Sequence, residues 1–152
     1  MKYPIGIQDF EKIIEGGYVY LDKTSLVYDL VQNGNIYFLS RPRRFGKSLL
    51  VSTLKYYFEG KKELFKGLAI DKLEKEWKQY PVFHLDFNGN NFTNPGELEV
   101  ILENFVASQE MIYGQERLLE DWRREILKGF YSVFKAADAN LQFVLLTGVT
   151  KF

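Results

Sequence analysis

The sequence predicts an α/β fold in which a small, mostly parallel sheet carries helices on both faces. Three observations lead to it. An apolar run, Ile36-Tyr37-Phe38-Leu39, passes through Ser40-Arg41-Pro42-Arg43-Arg44-Phe45-Gly46-Lys47-Ser48 into a long amphipathic run at 49–59. Two more apolar runs, at 82–87 and 141–147, have the length and composition of strands. The stretches between them carry apolar residues at helical spacing, and strands alternating with helices build a parallel sheet.

The first of these runs also carries chemistry. A strand, a tight turn and Gly-Lys-Ser at a helix start form the context of a phosphate-binding P-loop. Free N–H groups and the positive end of the helix dipole attract phosphate oxygens there. Gly46 lets the backbone approach closely, Lys47 reaches the terminal phosphates of ATP, and the Ser48 hydroxyl is placed to ligate Mg²⁺. Phe45 and Leu49 flank these residues in the same turn. The full pattern wants glycine where Arg41 stands. Arg41, Arg43 and Arg44 are candidates for phosphate contact. The expected architecture is a P-loop NTPase-like three-layer sandwich. A single domain spans residues 1–152, with an N-terminal strand and helix segment at 1–35 and the core at 36–152.

Composition fits that reading. The length, 152 residues, suits one domain, and 46% hydrophobic content is enough for a real core. Twenty basic and twenty acidic side chains cancel, so bulk charge draws the chain to neither nucleic acid nor membrane. The absence of cysteine excludes disulfides and thiol chemistry. The first nine residues lack an apolar signal core, and no apolar run approaches membrane-spanning length, so a cytoplasmic protein is expected.

Along the chain, Asp9 caps a short helix carrying Phe10, Ile13 and Ile14, stopped by Gly16-Gly17. Tyr18-Val19-Tyr20 reads as a short strand. Asp22 or Thr24 caps a helix with Leu26, Val27, Leu30 and Val31 on one face, ended by Asn33-Gly34. The strand at 36–39 is nearly all apolar, as one buried on both faces should be. The next helix places Leu50, Leu54, Tyr57 and Phe58 on its core face and stops at Gly60. Leu64, Phe65 and Leu68 pack a connector, and 71–79 reads as a helix using Leu73 and Trp77.

Pro81 breaks that helix. The strand at 82–87 alternates Phe83, Leu85 and Phe87 against Val82, His84 and Asp86. His84, the one histidine, reads as structural, whereas Asp86 falls at a strand's carboxyl end, where open α/β sheets bind ligands. After a polar loop at 88–94, Asn94-Pro95-Gly96-Glu97 starts a helix with Leu98, Ile101, Leu102, Phe105 and Ile112, ended by Gly114. A last helix at 116–137 carries Leu119, Trp122, Ile126, Phe130, Val133 and Phe134. The third strand, at 141–147, follows.

Several runs together resemble the predicted AAA-ATPase-like proteins of bacteria. They are the Ser40–Ser48 turn with Leu49-Leu50, Tyr20-Leu21-Asp22-Lys23-Thr24, Tyr57-Phe58-Glu59-Gly60, Leu64-Phe65-Lys66-Gly67-Leu68, Pro81-Val82-Phe83-His84-Leu85-Asp86-Phe87, and Leu146-Thr147-Gly148-Val149-Thr150-Lys151-Phe152. The resemblance covers nearly the whole chain. It implies that arginine at the first glycine position is ordinary for the family, and that members often carry a nuclease-like domain further along. It places Thr147 at the end of a strand beside the P-loop strand, as a phosphate-sensing polar residue, with Lys151 just beyond.

The resemblance also marks a gap. Family members carry an acidic strand, which holds the Mg²⁺ shell and polarises water, between the helix after Asn94 and the last helix. Here Gly114-Gln115-Glu116 joins those helices directly. Glu116, Glu120 and Asp121 read as solvated surface charge. The expected activity is therefore ATP binding with Mg²⁺ and weak or absent hydrolysis. Asp86 substitutes for the lost acid only if its strand moves into the vacant place, and another chain filling that place would make a homo-oligomer. The alternative is a nucleic-acid-associated binding module that sets the arginine-rich turn on backbone phosphates. An inert remnant that binds nothing is a third reading.

Overall fold

A computed structural model describes residues 1–87, 96–114, 120, 123–124 and 141–148. The chain divides into two compact units, residues 1–82 with 143–152, and residues 83–142.

The first unit holds α1 (Phe10–Glu15), α2 (Thr24–Asn33), β1 (Ile36–Ser40), α3 (Lys47–Phe58), a 3₁₀ turn (Lys62–Phe65), α4 (Ala69–Leu73) and β2 (Val144–Gly148). β1 and β2 pair in parallel, with Ile36 opposite Val144, Leu39 opposite Thr147 and Ser40 opposite Gly148. The protein is thus mixed α/β with a small parallel sheet, and the strand bearing Thr147 lies directly beside the one that feeds the basic turn.

Local chemistry explains the helix starts. Asp9 accepts the Lys12 N–H at 3.0 Å and caps α1, which ends at Gly16. Asp22 does more than begin α2. One carboxylate oxygen takes the Thr24 N–H and hydroxyl, at 2.9 and 2.7 Å, and the other takes the Ala69 N–H at 2.8 Å. The buried Thr24 hydroxyl in turn accepts the Ile70 N–H at 3.1 Å. Asp22 and Thr24 therefore join the starts of α2 and α4.

The core gathers around α3. Phe10, Val27, Leu54, Tyr56, Tyr57, Phe58, Leu64, Phe65 and Ile70 form one buried cluster, with Phe143 and Leu145 packed against it. The buried Ser52 hydroxyl accepts the Phe10 N–H at 3.0 Å and so ties α1 to α3. The family-like runs at Tyr20–Thr24, Tyr57–Gly60 and Leu64–Leu68 all contribute to this one cluster or to its hydrogen bonds.

In several places the sequence reading needs correction. Among the described residues, 82–87 form no strand and the sheet has two strands, β1 and β2. From residue 83 the alternation survives, with Phe83, Leu85 and Phe87 half-buried and His84 and Asp86 exposed, while Val82 is half-buried as well. Alternation alone supplies no pairing partner. Tyr18–Tyr20 is likewise not a strand, although the Val19 N–H reaches the Lys2 carbonyl at 2.8 Å. The helix expected at 71–79 runs only over Ala69–Leu73. Leu26 faces outward at 64% exposure, so the apolar face of α2 is narrower than its spacing suggests. β1 buries one face only, leaving Ile36 and Phe38 exposed.

The cause of the early stop in α4 is visible. The Glu74 carboxylate accepts the N–H groups of Lys75 and Glu76 and the Tyr57 hydroxyl. It thereby holds a turn in which Trp77 takes φ 46°, in the left-handed region. That conformation is unfavourable for a bulky residue, and the Trp77 ring is held against Phe65 and Tyr57 at 5.2 and 5.8 Å. Burial pushes the Glu74 carboxyl up, but the Tyr57 hydroxyl and the backbone N–H groups outweigh it and leave the group below its ordinary value of 4.5. A lowered folded value contributes stability that is present above pH 4.5 and lost as the pH falls through the folded value. Glu74→Gln should therefore cost about 1 kcal/mol near neutrality and flatten the acid side of the stability profile. Urea melts of both proteins across pH check this, and parallel acid limbs would contradict it.

The second unit is described mainly through α5 (Glu97–Tyr113), which buries Leu102 and Val106 and ends at Gly114 as its sequence signals. The Phe83 and Tyr113 rings meet edge to face at 5.6 Å, and Arg123 pairs with Glu110 at 2.6 Å. The Asn94-Pro95 cap, the 88–94 loop and Lys151 lie outside the described residues. So does the 116–137 helix, apart from Glu120, Arg123 and Arg124, which are helical. Among the described residues no helix is long and apolar enough to cross a membrane.

Candidate phosphate-binding loop

β1 ends at Ser40, and the chain turns through residues 41–46 before α3 begins at Lys47. The ladder extends one step into the turn, where the Arg41 N–H donates to the Gly148 carbonyl at 3.4 Å. Two residues then take left-handed backbone: Arg44 at φ 67° and Gly46 at φ 75°. Gly46 occupies the cap position of α3, and no side chain caps that end. A Cβ added at Gly46 would meet nothing within 4 Å, so the space over this residue is open. Glycine is favoured there by its positive φ rather than by crowding. Its carbonyl accepts the Leu50 N–H at 3.0 Å and starts the helix.

The Lys47 side chain folds back into the turn. Its ammonium donates to the carbonyls of Arg41 at 2.6 Å and Pro42 at 2.8 Å. An ammonium has three N–H donors, so two close the turn on itself and a third remains for an anion. Arg41, Arg43, Arg44, Phe45 and Ser48 are exposed, while Lys47 and Leu49 are half-buried.

The structure thus brings Arg41, Arg43, Arg44, Phe45, Gly46, Lys47, Ser48 and Leu49 together in one turn and helix start. Thr147 is exposed on the neighbouring strand, opposite Leu39. Asp86 is exposed in the second unit. The roles of the Arg41 and Pro42 carbonyls and of Gly148 were not legible in the sequence. Each acts through a backbone carbonyl, which carries no side-chain signature.

A parallel strand that runs through a basic turn into an uncapped helix marks the chain as an α/β protein. It belongs to the family described as "Predicted AAA-ATPase", whose profile it matches over residues 4–120. A relative named "Uncharacterized protein in vnfD 5'region", from Azotobacter chroococcum mcd 1, is 33% identical over 194 residues, covering 99% of this chain and 38% of that protein. The chain thus spans less than two fifths of the curated relative's length. No solved structure matches it.

Proposed function

We propose that this chain is an ATP-binding domain of AAA-ATPase-like type that turns ATP over slowly or not at all. The observation that carries the proposal is the turn itself: Gly46 in left-handed backbone, an uncapped helix start, and the Lys47 ammonium held inside the turn with one donor to spare. Gly46, Lys47 and the first N–H groups of α3 would hold the phosphates. Ser48 is the residue of the turn suited to magnesium, and Thr147 stands on the adjacent strand to sense the terminal phosphate.

Two observations support the deficit in hydrolysis. Phosphoryl transfer needs a group that orients water and carboxylates around the metal, and Gly114-Gln115-Glu116 joins the helix after Asn94 to the one expected at 116–137 with no acidic strand between them in the sequence. The match to the Azotobacter relative extends over 194 residues although this chain has 152, a surplus of at least 42 that requires gaps in this chain. Together those gaps have room for a strand and its connections.

The alternative of a nucleic-acid module finds less support. The basic doublets outside the turn are partly neutralised, since Lys61 pairs with Glu11 at 2.7 Å and Arg123 with Glu110 at 2.6 Å.

Steady-state phosphate release from the wild type, Lys47→Ala and Asp86→Asn tests the deficit. All three should sit at the same background. Robust release abolished by both substitutions would overturn it and assign Asp86 the missing acid's role. Bound ATP should still protect the fold, adding about 2.7 kcal/mol at a hundredfold excess over Kd. An unchanged melting temperature at millimolar ATP would count against binding.

A further inference from the structure

Among the described residues, two that are not glycine take left-handed backbone, Arg44 at φ 67° and Trp77 at φ 46°. There Cβ comes too close to the following carbonyl oxygen. The conformation persists where the surroundings over-determine it or a function demands it. For Trp77 the surroundings suffice. Its ring is held against Phe65 and Tyr57 at 5.2 and 5.8 Å, and the Glu74 carboxylate ties down the N–H groups of Lys75 and Glu76 just before it.

Arg44 has no such support. Its side chain is exposed, and among the described residues its guanidinium enters no ion pair. Glycine would suit this backbone better, and the same turn uses glycine two residues on, where Gly46 stands at φ 75°. Packing therefore does not account for an arginine at this position.

What the arginine adds is a planar fork of N–H donors, charged at any physiological pH, that takes phosphate oxygens two at a time. It stands three residues ahead of Lys47, in a turn that leads to an uncapped helix start with open space over Gly46. From Asn35 to Phe58 the chain has no aspartate or glutamate to neutralise it. Arg41 and Arg43 carry the same group on backbone outside the left-handed region, so their presence needs no such explanation.

Resting on the ATP-binding reading above, we infer that Arg44 is the arginine of this turn that grips the ligand, and that it does so through the phosphate chain. Its unfavourable backbone is kept for that contact, so stability is given up for affinity at this one position. Removing the side chain should then move the two properties in opposite directions, which a structural arginine would not do.

The test compares wild type, Arg44→Gly and Arg43→Gln as whole chains, by thermal melts without ligand and by calorimetric titration with ATP and with inorganic tripolyphosphate. Magnesium and ionic strength are held constant. Arg44→Gly should melt about 2–4 °C higher, because glycine relieves the backbone. It should bind both ligands about tenfold more weakly, because a charge-assisted contact is gone. Arg43→Gln should lose less than about threefold. Equal affinity in wild type and Arg44→Gly would overturn the inference and leave the ATP-binding reading standing. A loss for ATP alone would move the contact to the nucleoside and overturn the phosphate assignment. A melting temperature that fails to rise would overturn the claim of strain kept for binding, and an equal loss in Arg43→Gln would overturn the choice of Arg44. A wild type that binds neither ligand would overturn the ATP-binding reading and the inference with it.

Discussion

Replacing Phe65 with alanine should destabilise the first unit by about 3–5 kcal/mol. Phe65 is wholly buried in the 3₁₀ turn. Its ring stacks against Phe10 at 4.8 Å and Trp77 at 5.2 Å and meets Tyr57 edge-on at 6.5 Å. Three large neighbours anchored on α1, α3 and the turn before Pro81 cannot all collapse into the space a missing ring leaves, so the cavity cost adds to the lost transfer energy. Domains of this size are typically stable by about 5–15 kcal/mol, so a loss of this order removes much of the margin. Urea unfolding measures it: the midpoint should fall while the slope stays constant. Phe65→Leu should cost much less, because most of the volume remains. A cost below about 1 kcal/mol for Phe65→Ala would mean that the ring is not central to this core.

Lys47→Ala should have the opposite profile, with small effect on the fold and large effect on the ligand. The Arg41 and Pro42 carbonyls that Lys47 now holds lie in a turn open to solvent. Water can replace the ammonium there, and the loss of stability should stay below about 1 kcal/mol. For a bound triphosphate no such substitute exists. A charge-assisted contact of roughly 1.5–3 kcal/mol disappears, and ATP affinity should fall about tenfold or more. Equilibrium dialysis with labelled ATP reads the affinity, and a thermal melt reads the fold. Unchanged affinity would remove Lys47 from the site, and a collapsed melt would give it a structural role instead.

What the sequence made legible were features whose physics is local. The Asp9 cap, the Gly16 and Gly114 stops, β1 and the start of α3 each follow from a few neighbouring residues, and each appears in the structure. The turn ahead of α3 was legible for the same reason, since Gly46 and the residues after it set one helix start. What failed depended on partners far along the chain. The alternation at 83–87 was real, but among the described residues it forms no strand. α4 stops at Leu73 because Glu74 turns to the Tyr57 hydroxyl and to backbone N–H groups, a preference that periodicity does not carry. Asp22 was legible as a helix start but not as the residue that also receives the Ala69 N–H, 47 positions away. In the loop, the return of Lys47 onto its own carbonyls and the left-handed Arg44 left no trace in spacing.

The central claim is that ATP sits on the turn between β1 and α3. Hydrogen–deuterium exchange of the whole chain, with and without saturating ATP, tests it most directly, because ligand contact and local ordering slow the exchange of the N–H groups concerned. Exchange should slow at Gly46, Lys47, Ser48 and Leu49, with the effect extending to Thr147 and Gly148 on the neighbouring strand. An unaltered turn, or protection confined to another part of the chain, would contradict it.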